Sequence, residues 1–245
     1  MGRKMRNFLH LVQPEGEWIE IPQGYKTTRA WTPQIGDIFP NFKAWGTQGD
    51  FCFHNWAEGR WVYFFSHRSA FAPLCSTELA SLAVYQEAFK KADIAVAAIS
   101  VGSLEDTMSW VEEVEETFDL SIDFPVLSDP HGKLSRGMGL IHPKNDPNHS
   151  IRKSFIIDPA LQVRMMFDYP AYVGRSSEEV LRAAQALQIA ERTKLAVPAD
   201  WQPGDDLLAR PGQDEDSRLT SLYGKDWTRV KSYLKVVHPN GFARS

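Results

Sequence analysis

A chain of 245 residues, 43% hydrophobic and 24% charged, has room for one full-sized domain plus an appended segment, and this balance excludes both a disordered and a fibrous protein. A formal net charge of −4 with no basic tract gives no electrostatic reason to expect nucleic acid or an anionic membrane as partner. The basic first residues lead into no apolar run of signal-peptide or membrane-spanning length, so a cytoplasmic protein is expected, and two cysteines in so long a chain are buried hydrophobes or reactive thiols rather than a disulfide scaffold.

Residues 1–34 mix Pro, Gly, charge and Trp without sustained periodicity and read as an irregular N-terminal arm. Asn41 to Trp56 reads as a hairpin, with Phe51 and Phe53 alternating after a turn at Thr47-Gln48-Gly49-Asp50. Trp61 to Ser66 is a short continuous apolar run, as suits a strand covered on both faces. From Cys75 the period becomes helical, with Leu79, Leu82, Ala83 and Phe89 on one stripe and Lys90 and Lys91 at the favourable end of the helix dipole. Ile94 to Val101 is a second buried strand, so strand, helix and strand make a parallel, right-handed βαβ unit.

Ser103, with Asp106 three residues on, has the pattern of a capping box and opens a helix whose apolar stripe reads Leu104, Met108, Val111 and Phe118. Phe124 to Leu127 is a short strand and residues 141–150 a loop. Ser154 to Asp158 and Val163 to Tyr169 pair as an antiparallel hairpin around Asp158-Pro159-Ala160-Leu161. A last helix opens at Ser176, with Glu179 as capping partner and Val180, Leu181, Ala184 and Leu187 turned inward. Beyond it, Pro198, Pro203, Gly204, Pro211 and Gly212 break up the chain. The element order predicts an α/β protein of thioredoxin-like fold, a mixed central sheet flanked by helices. It divides into an arm (1–34), a main domain (35–190) and a C-terminal extension (191–245).

Cys75 falls where the first buried strand hands over to its helix, near the positive end of the helix dipole, a placement that favours the thiolate. A thiolate attacks a peroxide oxygen directly and leaves a sulfenic acid that a second thiol reduces. Position alone leaves a small buried hydrophobe equally open.

The words around Cys75 go further. Phe65-Ser-His-Arg-Ser-Ala-Phe-Ala-Pro-Leu-Cys-Ser-Thr-Glu78 closely resembles the active-site segment of the one-cysteine peroxiredoxins, in the alkyl hydroperoxide reductase and thiol-specific antioxidant superfamily. Gly36-Asp-Ile-Phe-Pro-Asn-Phe42, Phe53-His54-Asn-Trp56, Tyr169-Pro-Ala-Tyr-Val-Gly-Arg-Ser176 and Val197-Pro-Ala-Asp-Trp-Gln-Pro-Gly-Asp205 resemble further segments of that family in order, over residues 35–210. The resemblance implies a peroxidatic role for Cys75, hydroperoxide as substrate, an external thiol as reductant, no cofactor, and a homodimer or higher oligomer. It implies that Arg152 stabilises the thiolate and the leaving oxygen, that Arg175 organises the site with Glu78, and that His67 lies near the thiol. Read alone, Arg152 would be a solvated charge before a strand, Arg175 and Glu78 a surface ion pair, and His67 a structural histidine.

Two positions depart from the family's pattern of Pro, three residues, Thr, two residues and Cys: they hold Arg68 and Ala72. Alanine removes a hydroxyl contact typically worth about 1 kcal/mol. This motivates an alternative, a redox sensor or binding protein that keeps the fold with weak or lost turnover. Cys52, between Phe51 and Phe53, reads as structural. The lipase-like Gly-x-Ser-x-Gly motif of some relatives is absent, since Ala57-Glu-Gly-Arg-Trp61 has arginine at the serine position. His142, His149 and Asp146 share a loop and read as solvated rather than metal-binding.

Overall fold

The computed structural model describes residues 8–12, 18–22, 31–142 and 146–242. Within the arm, β1 (Phe8–Val12) pairs antiparallel with β2 (Trp18–Pro22), so a regular hairpin replaces part of the irregular segment expected there. The remainder of the arm before residue 31 lies outside the described residues. The main sheet is built from β3 (Lys43–Gly46), β4 (Gly49–Cys52), β5 (Trp61–His67), β6 (Ile94–Ser100), β7 (Val126–Ser128), β8 (Arg152–Ile157) and β9 (Val163–Tyr169). Its spatial order is β4-β3-β7-β6-β5-β8-β9. The expected βαβ unit is present: β5 and β6 run parallel in register from Trp61↔Ile94 to His67↔Ser100, joined by α2 (Pro73–Lys91). β6 and β7 are parallel, whereas β8 is antiparallel to both β5 and β9, which makes the sheet mixed.

Alternation along the central strands sorts their side chains between two cores. Tyr63 and Phe65 of β5 and Ile156 of β8 face a core shared with α2, α3 (Leu104–Phe118) and α5 (Ser177–Thr193). Val62, Phe64, Phe155 and Ile157 face the other, where Phe39, Phe51, Phe53, Met138 and Leu140 meet them. That second face is covered by the 39–57 segment, including α1 (Phe53–Ala57), and by the end of α4 (Lys133–Gly137).

Two expectations need correction. Phe53 to Trp56 is not a hairpin strand: pairing ends at Lys43↔Cys52, and α1 follows. Asn41 Oδ1 accepts the His54 N–H at 3.0 Å, supplying the cap that Cys52 does not. In this way Phe53 and Ala57, one turn apart, are both buried. The stripe of α3 is rotated as well, because its buried residues are Thr107, Trp110, Val111 and Val114 while Met108 and Phe118 are exposed. Burial of Thr107 is tolerated because its hydroxyl donates to Ser103 O at 2.8 Å. The C-terminal segment has a core of its own. β10 (Leu207–Leu208), β12 (Leu234–Val237) and β11 (Trp227–Lys231) form a three-stranded sheet in that order, accompanied by α6 (Asp216–Tyr223) and α7 (Pro239–Phe242). Leu195, Trp201, Leu207, Leu219 and Val237 pack there with Ile189 from the end of α5.

The capping expectations agree with the geometry. Ser103 accepts the Asp106 N–H at 3.0 Å and Ser176 accepts the Glu179 N–H at 3.2 Å. Among the described residues no helix is long and apolar enough to cross a membrane.

Candidate active site

Cys75 lies in the first turn of α2, which is entered through Ala72 with Pro73 at its first position. The missing N–H of a proline is harmless there, and its fixed φ suits the helix. The preceding loop turns through Phe71, a non-glycine residue at φ +56°, a left-handed conformation that costs on the order of 1–2 kcal/mol. This turn aims the thiol inward, and Cys75 is fully buried.

Glu78, one turn along α2, stands on the same side. Arg152 is the first residue of β8 rather than a charge ahead of it. The parity of β8 therefore puts it on the same face as Ile156, toward α2. Arg152 Nη1 donates to Cys75 Sγ at 3.3 Å and to Glu78 Oε2 at 2.5 Å, and its Nε donates to Ala171 O at 3.2 Å. Arg175, just before the cap of α5, engages the same carboxylate: its backbone N–H and Nε donate to Oε1 at 2.9 and 3.1 Å, and Nη2 donates to Oε2 at 2.9 Å. Gly174 permits this close approach, since a Cβ there would stand 3.2 Å from Leu74 Cδ1. The Arg175 guanidinium also lies over the Phe65 ring, 4.8 Å from its centroid.

These side chains are nearly closed off from solvent, at 2% exposure for Arg152 and 4% for both Arg175 and Glu78. Buried charges persist only when paired and hydrogen-bonded. Two guanidinium groups on one carboxylate leave one positive charge over, which a thiolate on Cys75 would balance. His67 adds none. Burial, followed by the charges of Arg175 and Arg152, holds its imidazole well below the usual histidine range, so it is neutral. Both of its ring nitrogens are buried without a hydrogen-bond partner, and its ring meets Trp110 edge-on at 5.0 Å.

The structure thus gathers His67, Cys75, Glu78, Arg152 and Arg175 in one place. The two departures lie on the loop that leads to Cys75: Ala72 has only a methyl group, and the Arg68 guanidinium is taken by Asp146. His67, Cys75 and Glu78 offer ligand atoms within 4.8 Å of one another, yet this is a poor cation site, because Glu78 is already occupied by two guanidinium groups. Asp146 and His149 bond to each other at 2.9 Å. Cys52 Sγ donates to Asn41 Oδ1 at 3.6 Å and forms no disulfide.

Several supporting residues escaped the sequence reading. The Ser66 hydroxyl donates to Ile151 O at 2.6 Å and accepts the Lys153 N–H at 3.2 Å, extending the β5–β8 ladder to the site, while Ser66 O accepts from Arg175 Nη1 at 3.0 Å. The Trp110 indole N–H donates to Ser76 Oγ at 2.9 Å. The one available signal for Ser66 was a polar residue ending an apolar run.

Residues 35–166 match the AhpC/TSA family model, and residues 186–221 match that of the C-terminal domain of 1-Cys peroxiredoxin. A 1-Cys peroxiredoxin of Dictyostelium discoideum is 34% identical over 209 residues, covering 84% of this chain and 86% of that protein. Among solved structures, the yeast mitochondrial 1-Cys peroxiredoxin is similar with a TM-score of 0.77 at 28% identity, over 83% of this chain and 98% of that one. A cysteine-to-serine mutant of the peroxiredoxin 6 of Arenicola marina is similar with a TM-score of 0.78 at 30% identity, over 84% and 98%.

Proposed function

Since the chain belongs to the AhpC/TSA family and is a thiol-dependent peroxidase of peroxiredoxin type, we propose that Cys75 is the sulfur that is oxidised, with Arg152, Arg175, Glu78 and His67 as its supporting groups. The Cys75 thiolate attacks the terminal oxygen of a hydroperoxide; an S–O bond forms as the O–O bond breaks. The departing alkoxide or hydroxide takes a proton, leaving the Cys75 sulfenic acid. One external thiol condenses with it, releasing water and forming a mixed disulfide. A second thiol then displaces Cys75 and leaves as a disulfide.

The observation that carries this reading is the contact of Arg152 Nη1 with Cys75 Sγ inside a buried cluster bearing one surplus positive charge. That guanidinium can hold the thiolate and then the negative charge developing on the leaving oxygen. Glu78 keeps both arginines in place without contacting the sulfur. Neutral His67, with unpartnered nitrogens, supplies polar atoms near the thiol where Ala72 has no hydroxyl.

The division at 34/35 and 190/191 belongs to the same proposal; the core of the last part includes Ile189 of α5, a helix that runs on to Thr193. So does a homodimer, for which β9, an edge strand of the main sheet, offers an edge beyond Val163, whose own N–H and C=O are taken by Asp37 and Gly36. A cytoplasmic location suits two cysteines that remain free.

Stopped-flow measurement of peroxide consumption tests the chemistry. Cys75→Ser is expected to abolish rapid consumption and Ala72→Thr to raise its rate. A wild-type rate no greater than that of free cysteine, unchanged in Cys75→Ser, would instead support the alternative of a sensor or binding protein, motivated by Arg68 and Ala72.

A further inference from the structure

Arg68 follows the last residue of β5 and opens the loop that leads to Cys75. The segment from Asp146 to Ile151 leads to Arg152 at the start of β8. These two approaches are joined by an ion pair between Arg68 Nη2 and Asp146 Oδ2, with the side chains only 25% and 18% exposed. Asp146 is itself hydrogen-bonded within its loop. Its Oδ1 accepts the backbone N–H groups of Asn148 and His149 at 2.9 and 3.2 Å, and its Oδ2 also meets His149 Nδ1 at 2.9 Å. The Asn148 N–H first, then the His149 ring, hold the carboxyl down at about 2, so it is a full anion at neutral pH. At the far end of the same segment, Ile151 O accepts the Ser66 hydroxyl. The stretch that delivers Arg152 is therefore tied to β5 on both sides of His67, through Ser66 and through Arg68.

We propose that Asp146 is a positioning residue of the peroxidatic centre: acting through Arg68, it holds the Cys75 loop against the segment that carries Arg152 and so sets the contact between guanidinium and sulfur. Asp146 touches neither the thiol nor Arg152. An arginine where the family pattern has proline makes this tether available, since a proline side chain can form no ion pair. Displacing a reacting group by about 1 Å can cost up to 100-fold in rate, so a tether between the two loops bears directly on reactivity.

The proposal rests on Cys75 being the reacting thiol, and its test separates the two claims. In the full chain, Asp146→Asn keeps an oxygen to accept the loop N–H groups and removes the charge that faces both Arg68 and His149, while the Arg68 variants leave the His149 contact intact. Arg68→Met removes the other half, Arg68→Lys preserves the charge, and the double variant removes both. Two rates are measured, oxidation by hydrogen peroxide and alkylation by iodoacetamide at neutral pH, with thermal midpoints as a control on folding. Asp146→Asn and Arg68→Met are each expected to lower both rates roughly fivefold or more, a modest displacement on the scale above. The double variant should be no slower than the slower single, as for residues acting through one contact, and Arg68→Lys should stay within about threefold of wild type on the same scale. Rates unchanged in the singles, a loss of thermal stability alone, or losses that multiply in the double would overturn the tether. Peroxide consumption that does not depend on Cys75 would overturn the underlying reading, and the alkylation rates would still decide the role of Asp146.

Discussion

With both ring nitrogens of His67 buried without a hydrogen-bond partner, the guanidinium groups of Arg175 and Arg152 close by, and Glu78 Oε2, 3.9 Å from Nδ1, already bonded to both arginines, protonating it would place a third positive charge in one interior. The sign of the consequence follows from linkage. The unfolded chain takes up a proton at this histidine near its ordinary value of 6.5, whereas the folded chain does so only well below it. Below that pH the unfolded state binds more protons, so stability is full above about 6.5 and declines on acidification, by up to about 1.4 kcal/mol per pH unit for one proton. Urea unfolding of wild type and His67→Phe across this range should show a steeper acid loss in wild type. Parallel pH profiles would place the sensitivity elsewhere. At this scale Cys75 alone was legible from its own context, at the start of a helix, whereas Glu78, His67 and Arg175 were legible by resemblance. Arg152 was legible only by resemblance, since a lone arginine before a strand carries no local mark of burial.

The helices show which local signals survive folding. The Ser103 cap is a contact between residues three apart, so it could be read directly, and Ser103→Ala should lower stability by about 1 kcal/mol in denaturant unfolding with the alkylation rate of Cys75 unchanged. The orientation of α3 could not be read the same way. Met108 and Phe118 are as apolar as Trp110 and Val114, which are buried instead, and periodicity alone allows either stripe. Packing chose the one that sets Trp110 against His67 and gives its indole N–H the Ser76 hydroxyl. Similarly, Phe51 and Phe53 alternate like a strand, but the Asn41 side chain ends the hairpin and starts α1.

At the scale of the molecule, the C-terminal segment has its own sheet and core, joined to the main domain by Ile189 near the end of α5. His238 links Asp206 at 3.0 Å and Thr228 at 2.9 Å across that sheet. Leu219, nearly inaccessible to solvent, is central to its packing. Leu219→Ala should cost about 2–5 kcal/mol, the usual range for emptying such a site. Hydrogen exchange should then rise through residues 207–237 before it rises in β5. Uniform acceleration over both regions would mean that the two cores unfold as one.

By itself the sequence determined the two buried parallel strands, the helix that carries Cys75, the caps at Ser103 and Ser176 and the candidate thiol. Each depends on residues a few positions apart, where period and capping chemistry act. Only the tertiary structure decided that one carboxylate, Glu78, holds two arginines lying 74 and 97 positions away, and that Arg68 is taken by Asp146, 78 positions on. Such pairings exist only after the sheet has brought β5 beside β8, and burial then makes charges that water would have screened answer to one another.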